Sequence, residues 1–221
     1  MNEKVKKENT GAQPEARPIL KFPTSALANR LLDGLHGLEI GGSAHNAFCL
    51  NTKNVDYTDD MNTMFKLEEV ELCGEAMPVD IVANGDNLPV ENESQDFVIS
   101  SHVFEHFFDP IKTLKEWYRV IKEGGYIFMI VPHKERTFDK VRQRTTLQEL
   151  IGRHEGRIEN DYVNEHTHFS VWITEDVVEL INYLGWKIVA VQDVDDKVGN
   201  GFTIVIKKDG TVADANSGEK V

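Results

Sequence analysis

Cysteine is scarce in this chain: Cys49 and Cys73 are the only two. They sit in no metal-ligand spacing and read as free thiols of a reducing compartment. Basic residues are outnumbered, 24 against 37 acidic ones, for a formal charge of −13. A surface of that sign repels a phosphate backbone, so nucleic acid is not expected as a partner. Long apolar runs are missing too, so membrane insertion is not expected. The opening stretch MNEKVKKENTGAQPEARP lacks the apolar centre of a signal peptide, and a cytoplasmic location is the expectation. No internal repeat is apparent. What is present is 221 residues with 40% hydrophobic and 28% charged content, enough for one domain with a full core. Residues 1–20 and 209–221 read as loose tails around a single domain at 21–208.

Along that domain, helical and extended patterns alternate. Thr24 or Ser25 can cap a short helix through Leu35. Leu38–Ile40 reads as a buried strand, and the Asn-rich stretch 43–53 leaves room for one helical turn or a loop. Asn54–Asp56 and Pro78–Val82 are short strands, with an imperfect helical pattern between Met61 and Leu72. Asp96–Ser100 is a strand, and Pro110 opens an amphipathic helix that Gly124-Gly125 should end. Tyr126–Val131 is the strongest strand pattern of all. Residues 133–170 are polar and rich in His and Arg, and read as an inserted lid or substrate segment. Thr174 can cap a helix ending at Gly185, before a final strand pair at 186–191 and 202–206. Seven strands alternating with helices define an α/β fold: a doubly wound, mostly parallel, Rossmann-like sheet with an antiparallel C-terminal strand.

The chemistry concentrates at Glu39-Ile40-Gly41-Gly42-Ser43, a strand ending at a glycine turn where backbone can approach a ligand closely. Asp56 ends the next strand, where a carboxylate suits a ribose diol. Taken with three later segments, these residues resemble the class I S-adenosylmethionine-dependent methyltransferases, in particular the ubiquinone/menaquinone-like and sugar-modifying group. Glu39–Ser43 looks like the family's acidic glycine loop, with Ser43 in place of the second glycine. Gly85-Asp86-Asn87-Leu88-Pro89 looks like its Gly-Asp-x-x-Leu-Pro turn, one residue short. Ser101-His102-Val103-Phe104-Glu105-His106 follows the fourth strand as its Leu-Glu-His signature does, and Arg119–Gly125 resembles its Leu-Lys-Pro-Gly-Gly turn.

The resemblance implies S-adenosylmethionine as cofactor, held by Glu39, Gly41, Gly42, Asp56, Tyr57, Asp86, Asn87, Leu88, Ser101 and His102. It implies methyl transfer to a small or carrier-linked acceptor, and the polar insert favours oxygen on a polar molecule such as a sugar. His106, His133 and His168 are the candidates to take up an acceptor proton, because histidine titrates near neutral pH. Arg136, Arg142 and Arg144 are candidates to pair with an acceptor anion. No metal is expected, since His166 and His168 lack a third ligand at recognisable spacing. Two other classes stay open on the sequence. One is a nicotinamide-dependent reductase or epimerase, whose Tyr-x-x-x-Lys spacing occurs at Tyr118/Lys122 and Tyr183/Lys187, though neither pair is well placed and the glycine loop is short for a pyrophosphate cradle. The other is a cofactor-binding protein without catalysis.

Overall fold

The computed structural model describes residues 19–161 and 168–210; the proposed tails and His166 lie largely or wholly outside them. Helix α1 (Ala26–Leu32) leads into strand β1 (Gly37–Ile40), then β2 (Thr52–Asp56), helix α2 (Met64–Cys73), β3 (Ile81–Val82) and β4 (Gln95–Ser101). Helix α3 (Pro110–Val120), β5 (Ile121–Pro132), helices α4 (Leu147–His154) and α5 (Thr174–Tyr183), and strands β6 (Lys187–Gln192) and β7 (Gly201–Lys207) complete the chain. All seven strands join one sheet in the order β3-β2-β1-β4-β5-β7-β6, and β7 runs against both β5 and β6. The order reverses between β1 and β4. Beyond the carboxyl ends of strands at such a switch point, an open α/β sheet leaves a crevice.

Strand alternation sorts the core into two layers. Val98, Ile127, Met129 and Val131 face α3 and α5, whose Leu114, Trp117, Leu180 and Ile181 are fully buried against them. Phe97, Ile99, Phe128 and Ile130 face the other way, against Leu27, Ala28 and Leu32 of α1 and against Phe48. Each fully buried side chain of this size contributes about 1.5–3 kcal/mol.

Several element ends differ from the sequence reading. Ser25 does cap α1, its hydroxyl accepting from the Ala28 N–H at 3.0 Å, and the stretch 43–53 holds only a single 3-10 turn, Ala44–Asn46. Helix α3 stops at Val120, short of Gly124. Val120 and Ile121 are both fully buried, and Ile121 already pairs with Gln95, so residues 122–125 loop out before Tyr126 meets Phe97. Thr174 does not cap α5. Ile173 stands at the cap position, and Asp176 Oδ2 accepts the Ile173 N–H at 2.9 Å. The insert contains α4, capped by Thr146, which the polar composition of 133–170 had hidden. Among the described residues, no helix is long and apolar enough to cross a membrane.

Candidate cofactor and active site

A cavity of about 660 Å³ opens at the switch point, within the range of small-molecule sites. The ends of β1, β2 and β4 supply its floor through Gly41, Gly42, Asp56, Ser101 and His102. Gly41 adopts a left-handed φ of +63°, and an added Cβ would stand 2.6 Å from Val103 Cγ2. A Cβ on Gly42 would meet Asn54 Oδ1 and Met77 Sδ, both at 2.7 Å. Both positions therefore require glycine.

The donors of this turn are already engaged. The Gly41 N–H donates to Val55 O at 2.8 Å, Gly42 N–H to Asn54 Oδ1 at 2.9 Å and Ala44 N–H to Glu69 Oε2 at 2.9 Å. A pyrophosphate cradle needs such groups free. Their engagement argues against a dinucleotide at this turn, and so against the nicotinamide alternative.

A buried cation knits the turn to its surroundings. Lys66 on α2, only 2% exposed, has its Nζ 2.9 Å from Glu69 Oε1, 3.1 Å from Met77 O, 3.5 Å from Gly42 O and 3.7 Å from Asp56 Oδ2. Burial pushes the Asp56 carboxyl up, while Lys66 and the Tyr57 N–H pull it back down. Asn54, which shares a strand face with Asp56, also donates from Nδ2 to Pro78 O at 2.8 Å. Asn54, Lys66 and Glu69 were absent from the sequence reading. Their signals were the two-residue step on β2 and the three-residue step on α2.

Of the other sequence candidates, Tyr57 and Asp86 line the cavity, Asp86 ion-paired with Lys112 at 2.8 Å. Glu39 lies beneath the glycine turn rather than on the cavity surface; burial pushes its carboxyl up, and Thr52 donates to it at 3.2 Å. Asn87 is exposed beside the turn. Leu88 is core, with its N–H donating to Glu116 Oε1. Trp117 donates from its indole N–H to Gly85 O at 2.8 Å, fixing the Gly85–Asp86 wall from below.

His106 lines the cavity and meets the His168 ring edge-to-face, with centroids 4.9 Å apart. His168 itself lies just behind the wall. His133 is away from the cavity: its Nδ1 accepts the Glu135 N–H and its ring packs edge-on to Phe202. Arg136, Arg142 and Arg144 are held by Asp193, Asp139 and Asp176, so the expected pairing with an acceptor anion has no support here. The distal part of the insert is drawn in by backbone bonds from Phe169 and Ser170 N–H to Glu105 O, which brings Phe169 to the cavity.

His102 carries strain and an unusual titration. Its φ of +56° is rare for a non-glycine residue, and its Nε2 is buried with no hydrogen-bond partner. Burial pushes the imidazole down to about 4; the Asp195 carboxylate opposes that shift and the His168 ring adds to it. The unfolded chain, with its ring near 6.5, takes the proton first as pH falls. The neutral ring's contribution is therefore complete above that value and is lost between it and about 4. Full loss amounts to about 3 kcal/mol. His102→Asn, which tolerates the left-handed backbone, should remove this slope. Denaturant titrations of both proteins at about pH 7 and about pH 4.5 read it. A parent-minus-variant difference that is the same at both would show that the ring is not held neutral.

Fold, switch-point cavity and glycine turn together define a doubly wound α/β protein with a small-molecule site at the carboxyl edge of its sheet. Residues 38–129 match the family model described as a methyltransferase domain. It is 25% identical over 193 residues to an uncharacterized protein of Methanocaldococcus jannaschii, covering 86% of this chain and 83% of that one. A 47-residue stretch is 40% identical to a malonyl-[acyl-carrier protein] O-methyltransferase of Marinomonas sp., covering 21% of this chain and 17% of the relative. Among solved structures, a SAM-dependent methyltransferase of Thermotoga maritima described as a possible histamine N-methyltransferase superposes with a TM-score of 0.52. The two are 20% identical, with 82% of this chain and 86% of the other covered.

The cavity suits the family's cofactor. Three residues of its wall carry buried polar atoms without hydrogen-bond partners: His45 Nδ1, Asn46 Oδ1 and His102 Nε2. Asp56, Glu68, Glu69 and Asp86 give the wall an acidic character that favours a cationic sulfonium and ammonium. The turn offers close approach without phosphate donors, and the cofactor has no phosphates.

Proposed function

We propose that this protein is an S-adenosylmethionine-dependent methyltransferase that acts on a hydroxyl oxygen of a small or carrier-linked polar acceptor, with sugars as the class in view. The observation that carries the reading is His106. It stands on the cavity wall with its Nε2 3.9 Å from Glu105 Oε1, in a cluster that also holds His168, so a proton leaving an acceptor hydroxyl has a place to go. Charge favours a neutral acceptor, since the insert's arginines are spent on internal pairs. Phe65, Phe107, Phe108 and Phe169 supply flat apolar walls against which a ring can be aligned.

In this reading the bound cofactor supplies a methyl group already activated on sulfur. Gly41 and Gly42 leave room for its methionine end, and Glu39 supports them from beneath. Asp56 and Tyr57 hold the ribose, while Asp86 with the following Asn87 and Leu88 forms the adenine side. Ser101, held by the Asn46 Nδ2 at 3.1 Å, and His102 complete the floor. A cytoplasmic site of action fits the same reading.

Two measurements test it. Calorimetry with S-adenosylhomocysteine should show binding, and Asp56→Ala should weaken it by about 10–100-fold, the worth of hydrogen bonds to a charged acceptor. Binding of NAD instead, or an unchanged affinity in the variant, would remove the cofactor assignment. Transfer of labelled methyl into fractionated extract, followed by mass spectrometry, should place the label on oxygen. Label on nitrogen or carbon would overturn the choice of acceptor atom.

A further inference from the structure

The geometry points to a divalent transition-metal site formed by Glu105, His106 and His168. Three ligand atoms, one from each residue, lie within 4.8 Å of one another. His168 Nε2 and His106 Nε2 are each 3.9 Å from Glu105 Oε1. The residues come from distant parts of the chain. The 3-10 turn Phe104–His106 after β4 supplies two of them, and the distal part of the insert supplies the third, tethered by the Phe169 and Ser170 N–H groups on Glu105 O.

The second observation is the state of Glu105. Its side chain is 1% exposed, and neither carboxylate oxygen has a hydrogen-bond partner among the described residues. A carboxylate buried without a partner is costly by several kcal/mol. Such a group is relieved either by a proton or by a cation. A cation placed here would meet two imidazole nitrogens as well as the carboxylate.

His168 shows why. Its Nδ1 is 2.6 Å from Asp139 Oδ2, and Asp139 Oδ1 is 2.8 Å from Arg142 Nη1. With Asp139 already paired to Arg142, the hydrogen bond engages His168 through Nδ1 and leaves Nε2, 3.9 Å from Glu105 Oε1, as the ring nitrogen nearer the carboxylate. A carboxylate behind one ring nitrogen with the other nitrogen aimed at a shared point is the usual orientation of a metal-bound histidine. Two imidazoles and one carboxylate suit zinc, cobalt, iron or manganese. A tetrahedral ion with ligands at about 2.1 Å needs ligand atoms about 3.4 Å apart, so the two 3.9 Å pairs close by about 0.5 Å to bind and the two histidines, within 4.8 Å, by up to about 1.4 Å.

This site deepens the proposed function. His106 belongs to both the cluster and the cavity wall, so an ion on its Nε2 would take the place of the imidazole as proton acceptor and would instead favour the ionised form of an adjacent acceptor hydroxyl. That consequence rests on the O-methyltransferase reading; the ion binding does not.

The test titrates cobalt(II) into the full-length, metal-stripped protein, without cofactor or acceptor, and follows visible ligand-field absorption. One ion per chain is expected, displaced by zinc. Glu105→Gln and His168→Gln keep the side-chain volumes and should weaken binding by more than about 100-fold. Asp139→Asn acts only through His168 and should cost about 10–100-fold. S-adenosylhomocysteine affinity, measured on the same samples, reports whether each variant is folded. No cobalt band in the folded parent, or equal affinity in the parent and in folded Glu105→Gln, would overturn the site. Failure of methyl transfer to a hydroxyl, with cobalt still bound, would instead count against the acceptor reading alone.

Discussion

Trp117→Ala is expected to lower the unfolding free energy by about 3–5 kcal/mol, the usual loss for a large aromatic removed from a core. Its side chain is fully buried. It packs on Phe104 at a centroid distance of 5.8 Å and on Phe107 at 6.0 Å, and Phe104 in turn stacks on Trp172 at 5.2 Å. Phe104 and Phe107 flank the turn that carries Glu105 and His106, while the indole N–H holds Gly85 O on the opposite wall. One side chain thus braces two walls of the cavity. Trp117→Phe separates the two effects. It keeps most of the ring contact and deletes the bond to Gly85, so it should lose roughly 1–3 kcal/mol, including the carbonyl left unpaired. Cofactor affinity should fall with it, because the Asp86 turn loosens. Denaturant unfolding and calorimetry measure the two quantities. A Trp117→Ala loss under about 1 kcal/mol would mean that the pocket collapses freely around the gap and that the brace is not real.

How far the sequence carried depends on the range of each interaction. The sheet was legible because period-two and period-3.6 apolar patterns are local, and the seven strands fall where those patterns place them. Its polarity was legible from the spacing of the connections. The end of α3 was not. Gly124-Gly125 is a good local stop signal, yet burial of Val120 and Ile121 and the pairing of Ile121 with Gln95 take precedence. Thr174 was displaced as a cap for a related reason: its hydroxyl hydrogen-bonds to Asp193, and Asp176 serves the cap from inside the helix.

At the site, Asp56, Gly41 and Gly42 announced themselves because strand-end acids and glycine turns are contiguous features. Glu105 and His168 are sixty-odd residues apart and meet only through the folded insert, so no spacing rule could join them. The proposed metal site has no signature along the chain, because His168 finds its partners in a turn after β4 and not among its sequence neighbours. The arginines of the insert failed in the opposite sense: they looked available and are all internally paired.

Lys66 is the clearest case of a residue that only the fold reveals, and its replacement carries the second large effect. Lys66→Met should lower stability by about 3–5 kcal/mol at neutral pH, since it strips the cation from a buried pair and leaves Glu69 uncompensated. Glu69 also accepts the Ala44 and Met77 N–H groups through Oε2, so the disturbance reaches the glycine turn directly. Asp56 loses the neighbour that holds its carboxyl down, and its already raised pKa should climb further. The sign of the pH effect follows. A group whose folded pKa lies above its unfolded value loses stability as pH rises through that window, so the deficit of Lys66→Met should be present above the raised Asp56 value and shrink as pH falls through it toward 3.8. Adding Glu69→Gln should restore part of the loss, because a neutral amide needs no cation. A double-mutant cycle on the two positions should then show a coupling of at least about 1 kcal/mol. Unfolding measured across pH decides the matter. A Lys66→Met protein within about 1 kcal/mol of the parent at neutral pH, or independent effects at the two positions, would mean that the turn is held by its backbone bonds alone. The same variant should bind S-adenosylhomocysteine more weakly than the parent, since Asp56 and Gly42 O both lose the ammonium group that fixes them side by side.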